Sequence, residues 1–170
     1  MRFMRGFFLL ACMLTFGCGY AFEGTVNNLP FNIHKVAIPF VKNASANTRL
    51  AFLLTDELNR QFTTSKFLEL VDVDKAEAVL NVSIRSVMIE GATLTDIERT
   101  SSRRIIVTLD ASLKQKGSNK ILWQSRGIVG RETYVVAADQ ASVELNEELA
   151  MRKLSRDLAE KIHNYIFEGF

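Results

Sequence analysis

Residues 103–134 read RRIIVTLDASLKQKGSNKILWQSRGIVGRETY, and this stretch decides the fold. Apolar and polar side chains alternate over residues 103–114, which is typical of a strand with one buried and one solvent-exposed face. The Gly-Ser-Asn sequence at 117–119 favours a turn. Residues 121–134 form the return strand, and Gly127 and Gly130 weaken its middle, as a bulge or a close contact would. The stretch therefore predicts an antiparallel hairpin.

Two more strands and a helix are predicted upstream of the hairpin. Residues 78–87 alternate in the same way, and residues 35–41, KVAIPFV, do so around Pro39. Proline has no N–H to donate, so Pro39 belongs near an edge or an end of the sheet. Residues 67–71 are predicted to be a short extended piece. Between residues 35–41 and 67–71, apolar residues at i+4 spacing predict an amphipathic helix: Leu50, Leu54, Leu58 and Phe62.

The chain ends in the longest predicted helix, which Asp139 or Ser142 can cap. Its apolar residues form a stripe that needs a partner surface: Leu145, Leu149, Leu154, Leu158, Ile162 and Ile166. The predicted order is β-α-β-β-β-α. One-sided strands and two amphipathic helices indicate an α/β (α+β) protein built as a two-layer sandwich. We expect a four-stranded mixed sheet with both helices on one face.

The N-terminal residues 1–20, MRFMRGFFLLACMLTFGCGY, are typical of a secretory signal peptide. Arg2 and Arg5 precede an uncharged run over residues 6–16. That run is too short to cross a bilayer, which takes about 20 apolar residues. The glycine and cysteine that follow resemble a bacterial lipobox, in which the cysteine, here Cys18, is acylated and becomes the mature N-terminus.

Two alternatives to lipidation at Cys18 remain open. Cys12 follows letters that fit a lipobox better, but its use would leave an apolar run shorter than signal peptides have. The other alternative is an ordinary signal peptide with incidental cysteines. With Cys18 as the acylated residue, we expect a lipoprotein signal peptide at 1–17, a lipidated tether at 18–34 and a single α/β sandwich domain at 35–170.

The charge balance argues against an electrostatic binder of nucleic acid. The whole chain has 21 basic and 19 acidic residues, and loss of residues 1–17 removes only Arg2 and Arg5. A mature chain of nearly zero net charge lacks the basic excess that nucleic-acid binding requires. The only cysteine in the mature chain is the acylated one, so we expect no disulfide.

No set of residues in the sequence is suited to catalysis. The two histidines, His34 and His163, lie far apart without metal-ligand spacing. The sequence also lacks a Gly-x-Ser-x-Gly elbow and a phosphate-binding loop. We therefore expect no enzymatic activity, no metal and no cofactor, and we interpret His163 as a structural residue.

Several short motifs occur in a fixed order along the chain: Cys18-Gly19-Tyr20, Leu29-Pro30, Val36-Ala37-Ile38-Pro39-Phe40, Glu77-Ala78-Val79-Leu80, Ile121-Leu122-Trp123 and the helix from Ala141 to Phe167. Together they resemble the LptE family of lipopolysaccharide-assembly lipoproteins. The resemblance implies a lipid-anchored outer-membrane protein that faces the periplasm and sits as a plug inside the LptD β-barrel. Family members assist barrel folding, bind lipopolysaccharide and help to deliver it to the outer leaflet.

The family has no catalytic motif to transfer, so a lipopolysaccharide site must be inferred from chemistry. Arg99, Arg103 and Arg104 cluster at a loop and the start of a strand. Guanidinium groups suit bidentate binding of phosphate. The alternative interpretation of the same residues is an exposed, solvated loop.

A second family also resembles the opening of the domain. Residues 36–41, the following helix and the extended residues 67–71 are similar to lipoproteins related to LpoB, which activate cell-wall synthases, and to the secretion component CsgG. LpoB-like proteins hold the domain on a long proline-rich linker. The segment 19–34 is short and contains one proline, which favours a role next to the membrane.

Overall fold

The computed structural model describes residues 33–65, 68–92, 101–118 and 120–168. The predicted signal peptide at 1–17 and most of the tether at 18–34 lie outside these residues. The elements are β1 (Lys35–Ala37), β2 (Lys42–Asn43), α1 (Thr48–Thr63), β3 (Glu69–Leu70), a 3₁₀ turn (Val73–Lys75), β4 (Ala78–Ala92), β5 (Ser101–Gln115), β6 (Ile121–Val136) and α2 (Gln140–Glu168).

The predicted α+β class and mixed sheet are confirmed, but the strand count was wrong. The sheet has six strands in the order β3-β1-β4-β5-β6, with β2 also paired to β4. Of the predicted strand at 35–41, only residues 35–37 form a strand, β1; a second short strand, β2, follows at 42–43, and both run parallel to β4. Pro39 lies in the gap between them, where its missing N–H breaks no ladder. The extended piece at 67–71 contributes β3, which pairs with β1.

The predicted hairpin is confirmed, and one of its two register shifts lies at Gly127. β5 and β6 pair antiparallel with Leu109 opposite Ile128, and the register shifts between Leu109 and Ala111. Gly127 has a φ of 67°, a conformation that glycine adopts without steric cost. Its N–H donates to the Asp110 carboxylate at 2.8 Å. The glycine thus forms a bulge that a carboxylate on the neighbouring strand holds in place.

Both helices bury apolar side chains in one core against the same face of the sheet. Helix α1 begins after Asn47, whose side chain accepts the N–H of Leu50 at 3.1 Å, as an N-cap does. The four predicted core residues of α1, namely Leu50, Leu54, Leu58 and Phe62, are all buried. The helix therefore packs as its apolar spacing predicted.

The predicted stripe of α2 was wrong in its first two members. Leu154, Leu158, Ile162 and Ile166 are buried, whereas Leu145 and Leu149 are 58% and 55% exposed. The step from Leu149 to Leu154 is five residues, which turns about 140° around a helix. At this end of the helix the buried residues are Val143, Ala150 and Met151. Two leucines are consequently left on the surface.

The outer edge of β6 is partly protected by helix α2. In the described part of the chain, no strand pairs with this edge. The Asn146 side-chain amide donates to the carbonyl of Val135 at 3.0 Å, and the Lys161 ammonium donates to that of Val129 at 3.2 Å. Carbonyls that already accept a hydrogen bond from α2 make the edge of β6 a poorer template for pairing with a strand of another chain.

His163 is half-buried near the C-terminal end of α2. Its ring lies 5.2 Å from the Phe62 ring and 4.4 Å from the Phe167 ring, measured between centroids. Its Nε2 is buried with no hydrogen-bond partner among the described residues. Burial lowers the pKa of His163, although Asn164 and Glu160 act in the opposite sense. The surroundings of His163 therefore favour the neutral form of its imidazole.

We expect His163 to make the folded state less stable below about pH 6.5, the ordinary pKa of histidine. The unfolded chain then binds a proton that the folded chain excludes, so stability falls as the pH falls towards the lowered folded-state pKa. His163→Leu removes this titration and should flatten the curve of unfolding free energy between pH 7 and 5. Urea titrations of both proteins measure it, and parallel curves in that range would contradict the assignment.

Candidate functional site

The strands β4, β5 and β6 extend together to one end of the sheet, which we call the tip. There, Ser102 of β5 pairs with Ala92 of β4 on one side and with Val135 of β6 on the other. Of the three arginines predicted to bind lipopolysaccharide, Arg103 and Arg104 lie at the tip. Arg99 falls within residues 93–100, which are outside the described residues.

Arg103 and Arg104 reach the same end of the sheet on opposite faces. Consecutive side chains of a strand point to opposite sides. Arg103 pairs with Gly91 and Tyr134 and shares the face of the buried Ile105, the helix-covered face. Arg104 lies on the other face, and both arginines are exposed. The two described arginines thus do not form one compact cluster.

The side chain of Arg103 lies next to groups that the sequence did not indicate. The side chain of Tyr134 is buried, and its hydroxyl donates to the Glu147 carboxylate of α2 at 3.2 Å. Burial raises the pKa of Tyr134, whereas a hydrogen bond from Arg103 to the same hydroxyl lowers it. Arg103 therefore lies on the helix-covered side of the tip, next to a phenol and a carboxylate.

Exposed apolar side chains lie on α2 and β6 close to this network. Leu145 and Leu149 are 58% and 55% exposed, and Val135 is 47% exposed. Leu149 and Val135 both line a groove of about 420 Å³ between α2 and β6, although the side chain of Val135, which follows Tyr134 in the strand, points to the open face of the sheet. We call Leu145 and Leu149 the apolar patch. Sequence reasoning missed it because the leucines were counted as core, although the five-residue step to Leu154 was a usable signal.

The other face of the sheet, called here the open face, is covered by neither described helix. The core side chains of β4 and β5 all lie on the opposite face. The predicted solvent-facing residues of β5 lie on the open face and are half-buried: Thr108, Asp110, Ser112 and Lys114. The Arg85 guanidinium lies 3.3 Å from the Asp110 carboxylate. Towards the tip, Arg104 and Arg131 flank the apolar pair Met88 and Ile106.

A family comparison decides what kind of protein carries this fold. The sequence profile of the family described as LptE, lipopolysaccharide-assembly, matches residues 33–166. The chain belongs to the LptE family. Membership assigns it a role in lipopolysaccharide assembly, and LptE proteins are non-enzymatic assembly factors. A search of curated proteins gave no match.

Three solved structures share the fold at low sequence identity. Lipoprotein B of Nitrosomonas europaea is 20% identical, with a TM-score of 0.52, and the alignment covers 85% of this chain and 87% of that one. A minor lipoprotein of Acinetobacter baumannii is 15% identical, with a TM-score of 0.51 and coverage of 82% and 95%. The hypothetical protein CT253 of Chlamydia trachomatis is 13% identical, with a TM-score of 0.51 and coverage of 79% and 98%.

The described helices and side chains show neither a membrane span nor a metal site. Within residues 33–65, 68–92, 101–118 and 120–168, no helix is both long enough and apolar enough to cross a bilayer. Over the same residues, no group of three or more His, Cys, Asp or Glu side chains is placed to hold a metal ion.

Proposed function

We propose that this LptE-family protein is a non-catalytic, lipid-anchored component of the outer membrane. In this role it complexes with an LptD-like β-barrel and assists the transport of lipopolysaccharide to the outer leaflet. One observation carries the proposal beyond family membership. The tip places an exposed arginine, Arg103, at the same end of the domain as the exposed apolar side chains Leu145, Leu149 and Val135.

The chemistry of the tip matches the two chemical parts of lipopolysaccharide. Its phosphate groups suit guanidinium donors, which bind such anions with two parallel hydrogen bonds. Its acyl chains gain free energy when they leave water and contact apolar side chains. Arg103 offers the first kind of contact and the apolar patch the second. Arg104 offers a further guanidinium on the open face, next to Met88 and Ile106.

The open face supplies a surface suited to the barrel. Barrel lumens are polar, so a protein seated in one needs exposed polar groups. The half-buried polar residues of β5 and the Arg85–Asp110 ion pair provide such groups. This face therefore supports the proposed association with LptD.

The proposed anchor is acylated Cys18, which lies outside the described residues. A lipid attached there places the domain at the periplasmic face of the outer membrane. Ile33, the first described residue, follows Cys18 by 15 positions. A chain of that length spans at most ~50 Å, so the domain remains close to the bilayer.

Changing Arg99, Arg103 and Arg104 together to alanine should weaken lipopolysaccharide binding about tenfold or more, because each charged hydrogen bond contributes roughly 1.5–3 kcal/mol. High salt should reduce the binding of the parent protein in the same direction, since salt screens exposed charges. Titration of purified protein with lipopolysaccharide measures the affinity. Barrel association should persist, because Arg103 and Arg104 lie at the tip, away from the polar middle of the open face.

A control for the loss of a single arginine elsewhere is Arg126→Ala. Arg126 is also exposed and lies on β6 away from the tip, so it removes the same kind of charge elsewhere. Leu145→Ser with Leu149→Ser tests the apolar part and should also weaken binding. Equal affinities of the parent, the triple variant and the Arg126 control for lipopolysaccharide would show that the tip arginines do not bind it.

A further inference from the structure

The outer edge of β4, on the side away from β5, is paired over only part of its length. The short strands β1 and β2 pair with it as far as Ile84. The N–H of Ala44, which follows β2, donates to the Ile84 carbonyl at 3.1 Å, and the chain then leads into α1. Among the described residues, no strand pairs with the outer edge of residues 86–92, which we call the free edge. It is about 20 Å long, at about 3.3 Å per residue.

The pairing of β4 with β5 shows which backbone groups point outward at the free edge. In an antiparallel pair, residues that bond to the partner strand alternate with residues whose N–H and C=O point away from it. The Ile84 carbonyl points away from β5, and the ladder resumes after a register shift with Ser86 opposite Thr108. The residues whose backbone groups point outward at the free edge are therefore Val87, Ile89 and Gly91.

The opposite edge of the sheet is protected, whereas the free edge is not. The same alternation directs the carbonyls of Val129 and Val135 to the outer side of β6, where both accept hydrogen bonds from α2 side chains. No described side chain forms such a bond with the backbone of the free edge. An unpaired strand edge is a template for another strand, and proteins usually block it. The free edge therefore has the backbone groups of a strand-binding site.

The side chains of the free edge suit an extended, largely apolar polypeptide. Met88 and Ile89 are 49% and 45% exposed, and they point to opposite faces of the sheet because they are consecutive. A Cβ on Gly91 would have nothing within 4 Å, and glycine in a strand is typical of places where another backbone approaches closely. Glu90, the one charged residue in 86–92, lies opposite Arg104 of β5, so its charge is balanced within the sheet.

We propose that the free edge binds an extended segment of the LptD-like barrel as an additional β-strand. This inference rests on the proposed function and adds a mode of contact to it. The free edge borders the open face, so the two surfaces that meet the barrel are continuous. The wall strands of a barrel pair with one another, and the bound segment is therefore one that projects into the lumen, as loops do. Main-chain hydrogen bonds give such strand addition its affinity, and alternate side chains give it specificity.

Hydrogen exchange in the purified complex tests the pairing directly. The full chain is isolated with its barrel, and exchange at single amides is compared with the same chain without the barrel in the same detergent. The N–H groups of Val87, Ile89 and Gly91 should exchange about a hundredfold more slowly in the complex, because exchange then requires the added strand to open. The N–H of Val135, on the protected edge of β6, is the control and should change much less.

Proline substitutions test the same contact through the recovery of the barrel. Ile89→Pro removes an outward N–H and leaves the β4–β5 hydrogen bonds in place, as proline in an edge strand can. Val135→Pro is the matched control on the opposite edge, and Ile89→Val keeps the donor at the tested position. Each variant is produced in cells beside a differently tagged parent chain, and the barrel recovered with each is quantified. Ile89→Pro should recover about tenfold less barrel than the parent, and both controls about as much.

The outcomes separate this inference from the proposed function. Recovery of no barrel with the parent chain would overturn the proposed function and the strand pairing with it. A recovered barrel with unchanged exchange at the three amides would overturn the pairing alone, and this measurement needs no substitution, so it decides even if Ile89→Pro fails to fold. Exchange that slows with rising protein concentration and no barrel would also overturn the pairing, and would identify a second copy of the chain as the occupant.

Discussion

Replacing Leu154 with alanine should lower the free energy of unfolding by roughly 2–5 kcal/mol, the usual cost of a large cavity in a core. Leu154 is 1% exposed and lies in the core cluster that joins both helices to the sheet. In a soluble form that lacks residues 1–18, the melting temperature should fall by several degrees. Chemical and thermal unfolding of the purified domain measure the change.

The matched control is Leu149→Ala on the same helix. Leu149 is 55% exposed, and exposed substitutions usually change stability by less than about 0.5 kcal/mol. The two leucines were predicted from sequence as one stripe, so their difference tests the observed helix face. If Leu149→Ala destabilised the domain as much as Leu154→Ala, the orientation of α2 would be wrong.

Replacing Gly130 with alanine should destabilise the domain by about 1–3 kcal/mol, the usual cost of overpacking a core. A Cβ on Gly130 would lie 2.7 Å from Leu154 Cδ1 and 2.9 Å from Leu158 Cγ. Those atoms belong to fully buried side chains, so they cannot move away without disturbing their own contacts. Helix α2 and strand β6 thus approach closely at a residue that has no side chain.

Gly91→Ala is the control for this substitution. Gly91 is also in a strand, and a Cβ there would have nothing within 4 Å. Glycine in a strand weakens it, so the control should be neutral or slightly stabilising. Denaturant titrations of both variants measure the difference. An unchanged midpoint for Gly130→Ala would show that α2 lies further from the sheet than described.

Periodicity predicted the elements that depend on long, regular patterns. The β5–β6 hairpin and the buried face of α1 follow from alternation and from i+4 spacing, because each buried face is continuous over many residues. Short strands were predicted less well: β3 lies within the predicted extended piece at 67–71 but was not counted as a strand of the sheet, and β2 was not predicted. β2 and β3 have two residues each, too few to show a period, and they exist only because β4 and β1 offer edges to pair with.

The site was less predictable, since it depends on pairing between distant residues. The two arginines of the tip were grouped because they are neighbours in sequence, yet a strand places neighbours on opposite faces. The hydrogen bond from Tyr134 to Glu147 joins β6 to α2, and no local pattern indicates it. Leu145 and Leu149 were predicted as part of the buried stripe of α2. Only the five-residue step from Leu149 to Leu154 indicated that they lie on a different face of the helix.

Purification of the tagged protein from its own outer membrane tests the central claim most directly. The protein is extracted in mild detergent, and the co-purifying proteins are identified and quantified by mass spectrometry. The proposed function predicts an LptD-like β-barrel in roughly equal amount. Recovery of a cell-wall synthase with no barrel present would contradict it and favour an activator of the LpoB type.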